Sequence, residues 1–457
     1  MAVYIVNILF LIYCIYLVIY SLFRCCQLVS WWLTGVQGHL KSCRNGDNYE
    51  SSAQLLRVWI KCTGRIVNVN LRHHFLSTHV RFVHPTYALQ KHITLMTVTD
   101  TEAIFSISDK NENVFNVRKW PFLFLAQLPT AKYLLIMPIS SMIKLGEELG
   151  DPKAKVIWIY HTGRCGSTAL SQVFNSLPDV VSISEPNCLF TLDQHFKNKY
   201  YSQKKQLWTT SEDYLTLYKN TVRLLLKPTF KDANIFAIKS HAYMSKIDIQ
   251  LIHKLFPSFY EVFMYRGIKE QIPSMYKPLN GGNLQAEISL CVATHPLLSA
   301  LFPTIRPSSL VDVSCNDPEH LNWLFNRNNM AESIDFIITV IHFAETCFHY
   351  KEAAAKGVPV VAVKYEHLQE DKVTFFKALF SHIGLEMTSE KMRLIDEALV
   401  EDSQKGSIID QETMKFLRQT NITPAMIANA NSRLQYYDLP NWDESLLLPN
   451  TISKVLQ

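Results

Sequence analysis

The sequence predicts an α/β fold in which a parallel sheet is covered by helices on both faces. From residue 153 onward, short apolar runs alternate with longer stretches of helical character. Strands that are apolar along their whole length are typical of parallel sheets, and the intervening helices supply the crossovers. We expect strands at Val156–Tyr160, Val180–Ile183, Ile235–Ile238, Glu261–Tyr265 and Val358–Val363, and helices at Ile247–Leu255 and Glu332–Lys356.

The length and composition indicate more than one folded unit. The chain has 457 residues, of which 48% are apolar and 19% charged, a globular composition. The net charge of +5 does not indicate a nucleic-acid partner but suits a protein that binds a polyanion. We divide the chain into a transmembrane helix at 1–23, a juxtamembrane linker at 24–65, a small β-rich subdomain at 66–150 and an α/β domain at 151–457.

The first segment has the length and composition of a membrane span. Val3–Phe23 is uncharged and apolar, and Arg24, Trp31 and Trp32 follow it as expected for residues at a membrane interface. No basic segment precedes the span and no small-residue cleavage site follows it, so we interpret it as a retained anchor. Because the basic residues all follow the span, the positive-inside rule places the rest of the chain in the cytosol. The Golgi lumen is the alternative, which a glycan on the sequon at Asn421 would favour.

The region before the α/β domain is rich in β-branched and aromatic residues. Its runs at His92–Val98, Ala103–Ile107 and Tyr133–Met137 alternate with Asp, Asn and Pro, a pattern typical of short strands. The spacing of its histidines, like that of the cysteines in the chain, matches no common metal site, so we expect no bound metal.

The loop that follows the first strand of the α/β domain has the features of a phosphate-binding loop. Residues 161–168 read HTGRCGST and are followed by an apolar helix. The glycines let backbone N–H groups approach an anion, and the N-terminus of the helix favours negative charge. Ser167 and Thr168 add hydroxyl donors, and Arg164 adds a guanidinium. The loop is not a Walker A motif, because the lysine that should precede the hydroxyl residue is missing.

Two further strands end in residues that suit the same chemistry. The strand at Ile235–Ile238 leads into Lys239 and His241, and an imidazole that is neutral near physiological pH can accept a proton. The strand at Glu261–Tyr265 is followed by Arg266, and Ser274 lies eight residues later. Arginine binds phosphate through two parallel hydrogen bonds, and serine adds a third donor.

The loop resembles the 5′-phosphosulfate loop of sulfotransferases, which runs roughly Pro-Lys/Arg-Ser-Gly-Thr-Thr. Arg164 takes the Lys/Arg position, Gly166 the glycine position, and Ser167–Thr168 the two hydroxyl positions. Cys165 replaces a common serine. Ala169 stands where the cytosolic enzymes often have a tryptophan near the adenine, so adenine stacking must come from elsewhere.

The second and third motifs resemble the same family. The Lys239-Ser240-His241 segment is similar to its Lys-Thr-His segment, which implies that His241 is the general base and that Lys239 steadies the leaving phosphate. Arg266 and Ser274 match the arginine and serine of its 3′-phosphate motif. Several branches of the family use a glutamate as the base instead, so Glu185 is the alternative to His241.

Two later segments complete the resemblance. Tyr365-Glu366 resembles the family's Tyr-Glu-Asp-Leu segment, and we interpret both residues as structural. Lys405-Gly406 resembles the late Arg-Lys-Gly segment that closes over the 3′-phosphate, although Gln404 stands in the place of the arginine.

The resemblance extends from residue 153 to about 410 and implies the activity. A sulfotransferase moves a sulfuryl group from 3′-phosphoadenosine-5′-phosphosulfate (PAPS) to an acceptor hydroxyl or amine. The acceptor class stays open among carbohydrate, lipid, protein and small alcohol, and residues 278–330 have the composition of a substrate lid. The alternatives are a kinase-like P-loop enzyme and a nucleotide-binding protein of the same fold without sulfotransferase activity.

Overall fold

The computed structural model describes residues 2–62, 71–202, 210–228, 234–280, 334–407, 409–417 and 420–452. The chain divides into two compact units, and each is built from separate stretches of sequence. The first comprises Met1–Phe115, Phe122–Lys153 and Pro186–Asp232, and the second comprises Asn116–Pro121, Ala154–Glu185 and Ala233–Gln457.

The described residues form ten β-strands. In chain order these are β1 (Ala53–Lys61), β2 (Phe75–Val83), β3 (Ile93–Val98), β4 (Glu102–Ile107), β5 (Tyr133–Pro138), β6 (Lys155–His161), β7 (Val180–Ser184), β8 (Ile235–Lys239), β9 (Tyr260–Tyr265) and β10 (Val360–Lys364).

The described residues also form fifteen α-helices. In chain order these are α1 (Ala2–Leu33), α2 (Val36–Arg44), α3 (Leu123–Thr130), α4 (Ile139–Leu149), α5 (Ser167–Ser176), α6 (Asn187–Ser202), α7 (Glu212–Leu225), α8 (Ser245–Leu255), α9 (Ile268–Asn280), α10 (Ile334–Ala355), α11 (Tyr365–Glu370), α12 (Lys372–His382), α13 (Ser389–Val400), α14 (Gln411–Phe416) and α15 (Pro424–Tyr436).

The first unit contains a five-stranded antiparallel sheet with the strand order β2-β1-β5-β4-β3. The structure differs from the predicted boundaries at two places. Strand β1 lies inside the stretch 24–65, which was predicted as a linker. Its first four residues are buried, so this part of the stretch belongs to the folded sheet. Helices α6 and α7 were predicted in the domain at 151–457 but belong to the first unit, where α6 contacts β3 and α7 contacts α4.

Helix α1 is the candidate membrane segment among the described residues. The stretch from Ile15 to Leu33 is 19 residues long and apolar enough to cross a bilayer by length and composition. The apolar segment therefore extends further than the predicted bound at residue 23, and the helix itself ends at Leu33.

The second unit contains the predicted parallel sheet, with the strand order β10-β9-β6-β8-β7. All five strands lie within two residues of their predicted bounds, and α8 and α10 confirm the two predicted helices. Strand β6 is central: β8 pairs with one edge of it and β9 pairs with the other edge. In an open parallel sheet this reversal of strand order opens a crevice at the carboxyl ends of the strands, where ligands bind.

An apolar core supports the helix that follows β6. It packs one face of the sheet against α5, α12 and α13, and the rings of Phe174 and Phe376 both contact that of Phe380. Helix α12 buries its apolar face in this core and ends at His382, and Gly384 two residues later has a φ of +62°. The packing fixes the position of α5 and therefore of its N-terminus.

We predict that Phe376→Ala destabilises the second unit by about 3–5 kcal/mol, because a fully buried ring is replaced by a cavity. The free energy of unfolding from denaturant titration measures the loss. Phe416→Ala is the matched control: Phe376 is 0% exposed and Phe416 is 89% exposed. Equal effects of the two substitutions would contradict the described core.

Candidate functional site

The loop from β6 to α5 turns sharply beneath the first turn of α5. Gly163 and Gly166 have φ values of +77° and +84°, and Arg164 between them has +48°. A Cβ atom at Gly166 would lie 2.4 Å from Cδ2 of Tyr365, so only glycine fits there. The loop therefore brings backbone amides and a helix N-terminus to one place, as an anion site requires.

His161 fixes the start of the loop as a neutral imidazole. Its Nδ1 accepts a hydrogen bond from the Gly163 amide at 3.1 Å, so the proton is on Nε2, which donates to the Ser240 carbonyl at 2.9 Å. Burial, with a further contribution from the Lys239 charge, lowers the pKa of His161 to about 3. The residue ties the loop to the end of β8 and was missed in the sequence. The position of His161 at the end of a buried strand could have identified it as a site residue from the sequence.

Lys239 places a buried amine against the first turn of α5. Its Nζ lies 2.8 Å from Oε1 of Glu185 and donates to Oγ1 of Thr168 at 2.9 Å. The loop has no lysine of its own, and the end of the neighbouring strand supplies one. The structure therefore brings together three predicted site residues, Thr168, Glu185 and Lys239, from three separate segments.

His241 lies on the other side of the Glu185 carboxylate. Its Nε2 is 4.0 Å from Oε2 of Glu185, and its Nδ1 accepts a long hydrogen bond of 3.4 Å from the Tyr243 amide. Burial lowers the pKa of His241, which keeps the imidazole neutral. Burial raises the pKa of Glu185, but the charge and the hydrogen bond of Lys239 lead the opposing effects, which lower the pKa overall. A neutral imidazole thus lies beside an ionised carboxylate that would stabilise its protonated form.

Arg164 joins the loop to the segment that begins after β9. Its Nε donates to Oγ of Ser274 on α9 at 3.2 Å. Its Nη1 donates to Oε1 of Gln404 and to the carbonyl of Ile409, the latter at 3.2 Å. Burial and then the charge of Arg266 lower the pKa of Arg164, so the two guanidinium groups are close enough to repel each other.

Arg266 is held by the two residues that the sequence indicated as structural. Its guanidinium lies 5.2 Å from the ring centre of Tyr365, a cation–π contact, and its Nε lies 3.9 Å from Oε1 of Glu366. Glu366 also accepts a hydrogen bond from the Gly267 amide at 3.0 Å. The Nε of Arg266 is buried and has no hydrogen-bond partner within the described part of the chain.

Not every predicted residue reaches the site. The thiol of Cys165 is fully buried in the apolar core and donates to the Met264 carbonyl at 3.2 Å. Lys405 and Gly406 are exposed on a turn, and the Gly406 amide donates to Asp410 at 3.3 Å. Their neighbour Gln404, which stands in the place of the family's arginine, is the residue that contacts Arg164.

A row of rings extends from His241 into the interior of the second unit. Tyr243 lies between His241 and His342, with ring centres 5.5 and 4.8 Å apart. Both nitrogens of His342 are buried without a hydrogen-bond partner in the described residues, and burial lowers its pKa to about 3. The predicted substrate lid at 278–330 lies outside the described residues from position 281 onward.

No protein-family model matches the chain, and no curated protein matches it. Among solved structures, it is similar to the sulfotransferase STF9 from Mycobacterium avium, with 10% identity and a TM-score of 0.37 over 67% of this chain and 83% of that chain. The sulfotransferase STF1 from Mycobacterium tuberculosis H37Rv has 11% identity and a TM-score of 0.32 over 65% and 82%. A sulfotransferase from Alicyclobacillus acidocaldarius has 11% identity and a TM-score of 0.28 over 64% and 100%. At TM-scores below 0.5 these similarities do not establish fold or activity.

We predict that acid destabilises the protein through its buried neutral histidines. Below about pH 6.5 the unfolded chain binds protons that folded His342 cannot bind until about pH 3, so the free energy of unfolding falls with pH in that window. The loss is up to about 1.4 kcal/mol per pH unit for each such histidine. Denaturant titrations at pH 7 and pH 5 should show a smaller loss in His342→Leu than in the wild type. An unchanged slope in His342→Leu would refute the assignment.

Proposed function

We propose that this chain is a sulfotransferase that moves a sulfuryl group from PAPS to an acceptor hydroxyl or amine. The observation that carries the proposal is the contact between Arg164 and Ser274. It joins the loop proposed for the 5′-phosphosulfate to the motif proposed for the 3′-phosphate, although the residues are 110 positions apart. If either motif matched the family by chance, there would be no reason to expect a contact between Arg164 and Ser274.

The residues present suit a cofactor with phosphate groups at two positions. The loop amides, Ser167, Thr168 and Lys239 would hold the 5′-phosphosulfate, while Arg266 and Ser274 would hold the 3′-phosphate. The fit is supported by the buried Nε of Arg266, which has no hydrogen-bond partner among the described residues, and by the repulsion between two neighbouring guanidinium groups. An anion between them would relieve both.

In this proposal the cofactor supplies an activated sulfuryl group on a phosphate leaving group. His241 removes the proton of the acceptor, since its imidazole is neutral and lies just past the carboxyl end of β8. Glu185 stabilises the imidazolium that forms, and Lys239 and Arg164 stabilise negative charge at the loop. The alternative reverses two roles, with Glu185 as the base and His241 as its neighbour.

Two competing functions make different binding predictions. A kinase-like enzyme would bind ATP with Mg²⁺ and hydrolyse it, and a binding protein of this fold would bind nucleotide without turnover. Calorimetry with 3′-phosphoadenosine-5′-phosphate (PAP) against ATP separates the first from a sulfotransferase. Tighter binding of ATP than of PAP would overturn the proposal, and turnover with labelled PAPS separates the second.

The acceptor and the location are part of the proposal. The acceptor is a carbohydrate, lipid, protein or small alcohol, and the chain is attached to a membrane through α1. We place the second unit in the cytosol because the basic residues near the apolar segment all follow it. The Golgi lumen is the alternative.

We predict that Arg164→Ala and Arg266→Ala each weaken the binding of PAP by about 10- to 150-fold, because a charge-assisted contact worth about 1.5–3 kcal/mol is lost. Isothermal titration calorimetry measures the affinity, and thermal unfolding confirms that each variant folds. Arg393→Ala is the control, because Arg393 is an exposed arginine that pairs with Glu397 on α13. Wild-type affinity in a folded variant would remove that arginine from the site.

We predict that His241→Ala lowers sulfuryl transfer by about 10²–10⁴-fold while PAP affinity stays nearly unchanged. The assay uses labelled PAPS with a panel of sugar, sterol, tyrosyl-peptide and small-alcohol acceptors. In the wild type the rate should rise with pH around a midpoint below 6.5, because burial lowers the pKa of His241. If Glu185→Gln abolishes transfer while His241→Ala keeps near-normal turnover, the carboxylate is the base and our assignment is wrong.

A further inference from the structure

Helix α1 has two chemically different faces. Residues spaced three or four apart share one face of a helix, and Tyr16, Tyr20, Arg24, Gln27 and Trp31 form such a series. This inner face carries the arginine and the glutamine of the stretch from Ile15 to Leu33. The apolar character of the segment therefore comes from its other face.

The inner face packs against the folded first unit along its length. Tyr16 donates through its hydroxyl to the His73 carbonyl at 2.6 Å, and Gln27 donates to the Ser77 carbonyl at 2.7 Å. Trp31 is 5% exposed and belongs to the apolar core of the antiparallel sheet. Contacts from Tyr16 to Trp31 cover about 22 Å of helix at about 1.5 Å per residue.

The outer face is apolar and exposed. It comprises Ile15, Val18, Ile19, Leu22, Val29, Trp32 and Leu33, each more than half exposed, together with the exposed Cys25 and Cys26. Lys41 and Arg44 on the adjoining helix α2 are also exposed. An apolar helix face of this length, with tryptophan on it and basic residues nearby, is typical of helices that lie in a membrane interface.

The packing of the inner face rules out a helix that crosses the bilayer through this stretch. Crossing would carry the bonded partners of α1 into the hydrocarbon, and these include strand β2, an edge strand of its sheet. Open sheet edges do not occur in lipid, because their backbone groups would lose water without gaining partners. The ion pair between Arg72 and Glu102 at 2.8 Å belongs to the same unit and would be carried along.

We propose that α1 attaches the protein to a lipid bilayer by lying in the plane of its surface, with the outer face in the acyl region and the inner face on the protein. Exposed Lys41 and Arg44 indicate a preference for anionic headgroups. The transmembrane helix predicted at 1–23 is thereby replaced by an in-plane anchor, at least from Tyr16 onward. The inference is independent of the proposed catalytic activity.

The first test is flotation of the full chain with vesicles of phosphatidylcholine and phosphatidylserine. The double variant Ile19→Glu with Leu22→Glu should reduce the bound fraction at least about tenfold, since a charge on the immersed face opposes burial. The matched control is Val373→Glu with Val400→Glu, which places the same charges on exposed valines of the second unit. Equal binding by both double variants, or no binding by the wild type, would overturn the proposal.

The second test needs no substitution in the helix. The chain carries an epitope tag at each end, is translated into sealed microsomes and is treated with protease. An in-plane anchor leaves both tags on the same side, so both are cut or both are protected. One cut and one protected tag would show a crossing helix. A dimer in lipid-free solution that does not float with vesicles would show that a second copy covers the face, and this would also overturn the proposal.

Discussion

The candidate site depends on one buried amine, that of Lys239, shared between a carboxylate and a hydroxyl. The sheet register sets its position: Lys239 pairs with Ser184 of β7 and with Ile159 of β6. Because side chains alternate along a strand, a slip of one residue in β8 would turn Lys239 to the opposite face. A buried ion pair is costly to desolvate and adds little stability, so its retention beside a helix N-terminus is better explained by function than by folding.

Backbone strain marks the same place. Six described residues other than glycine have a positive φ, and four of these are Asn or Asp, which tolerate that conformation. The other two are Arg164 and Glu185, both with a φ of +48°. Strain of about 1–3 kcal/mol per residue persists only where surrounding contacts impose it. Here the contacts are those of Arg164 with Gln404 and Ser274, and the hydrogen bond from the Glu185 amide to the Lys239 carbonyl at 2.9 Å.

The sequence predicted the features that depend on neighbouring residues. It did not predict those that depend on contacts between residues distant in the sequence. Apolar runs predicted the five parallel strands, and the residues that follow two of these strands identified Lys239 and Arg266 as candidates for the same chemistry as the loop. The orientation of Cys165 was not predictable, because a short polar loop does not reveal which side chain turns into the core. Strand β1 was missed because residues 24–65 were assigned to a juxtamembrane linker. The place of α6 and α7 depends on contacts with residues far away in sequence. The role of Gln404 was hidden for the same reason, since 240 positions separate it from Arg164.

Gln404 also shows how the charge at the site is arranged. The Nζ of Lys239 is matched by Glu185, and Arg266 has Glu366 at 3.9 Å. Among the described residues, by contrast, Arg164 donates to the uncharged oxygens of Ser274, Gln404 and Ile409. The charge of Asp402 only partly opposes the effects of burial and of Arg266 on the pKa of Arg164. An arginine at position 404 would add a third guanidinium to two that already repel each other. The glutamine instead accepts a hydrogen bond and orients Arg164, so that the positive charge left over at the loop is available to a bound anion.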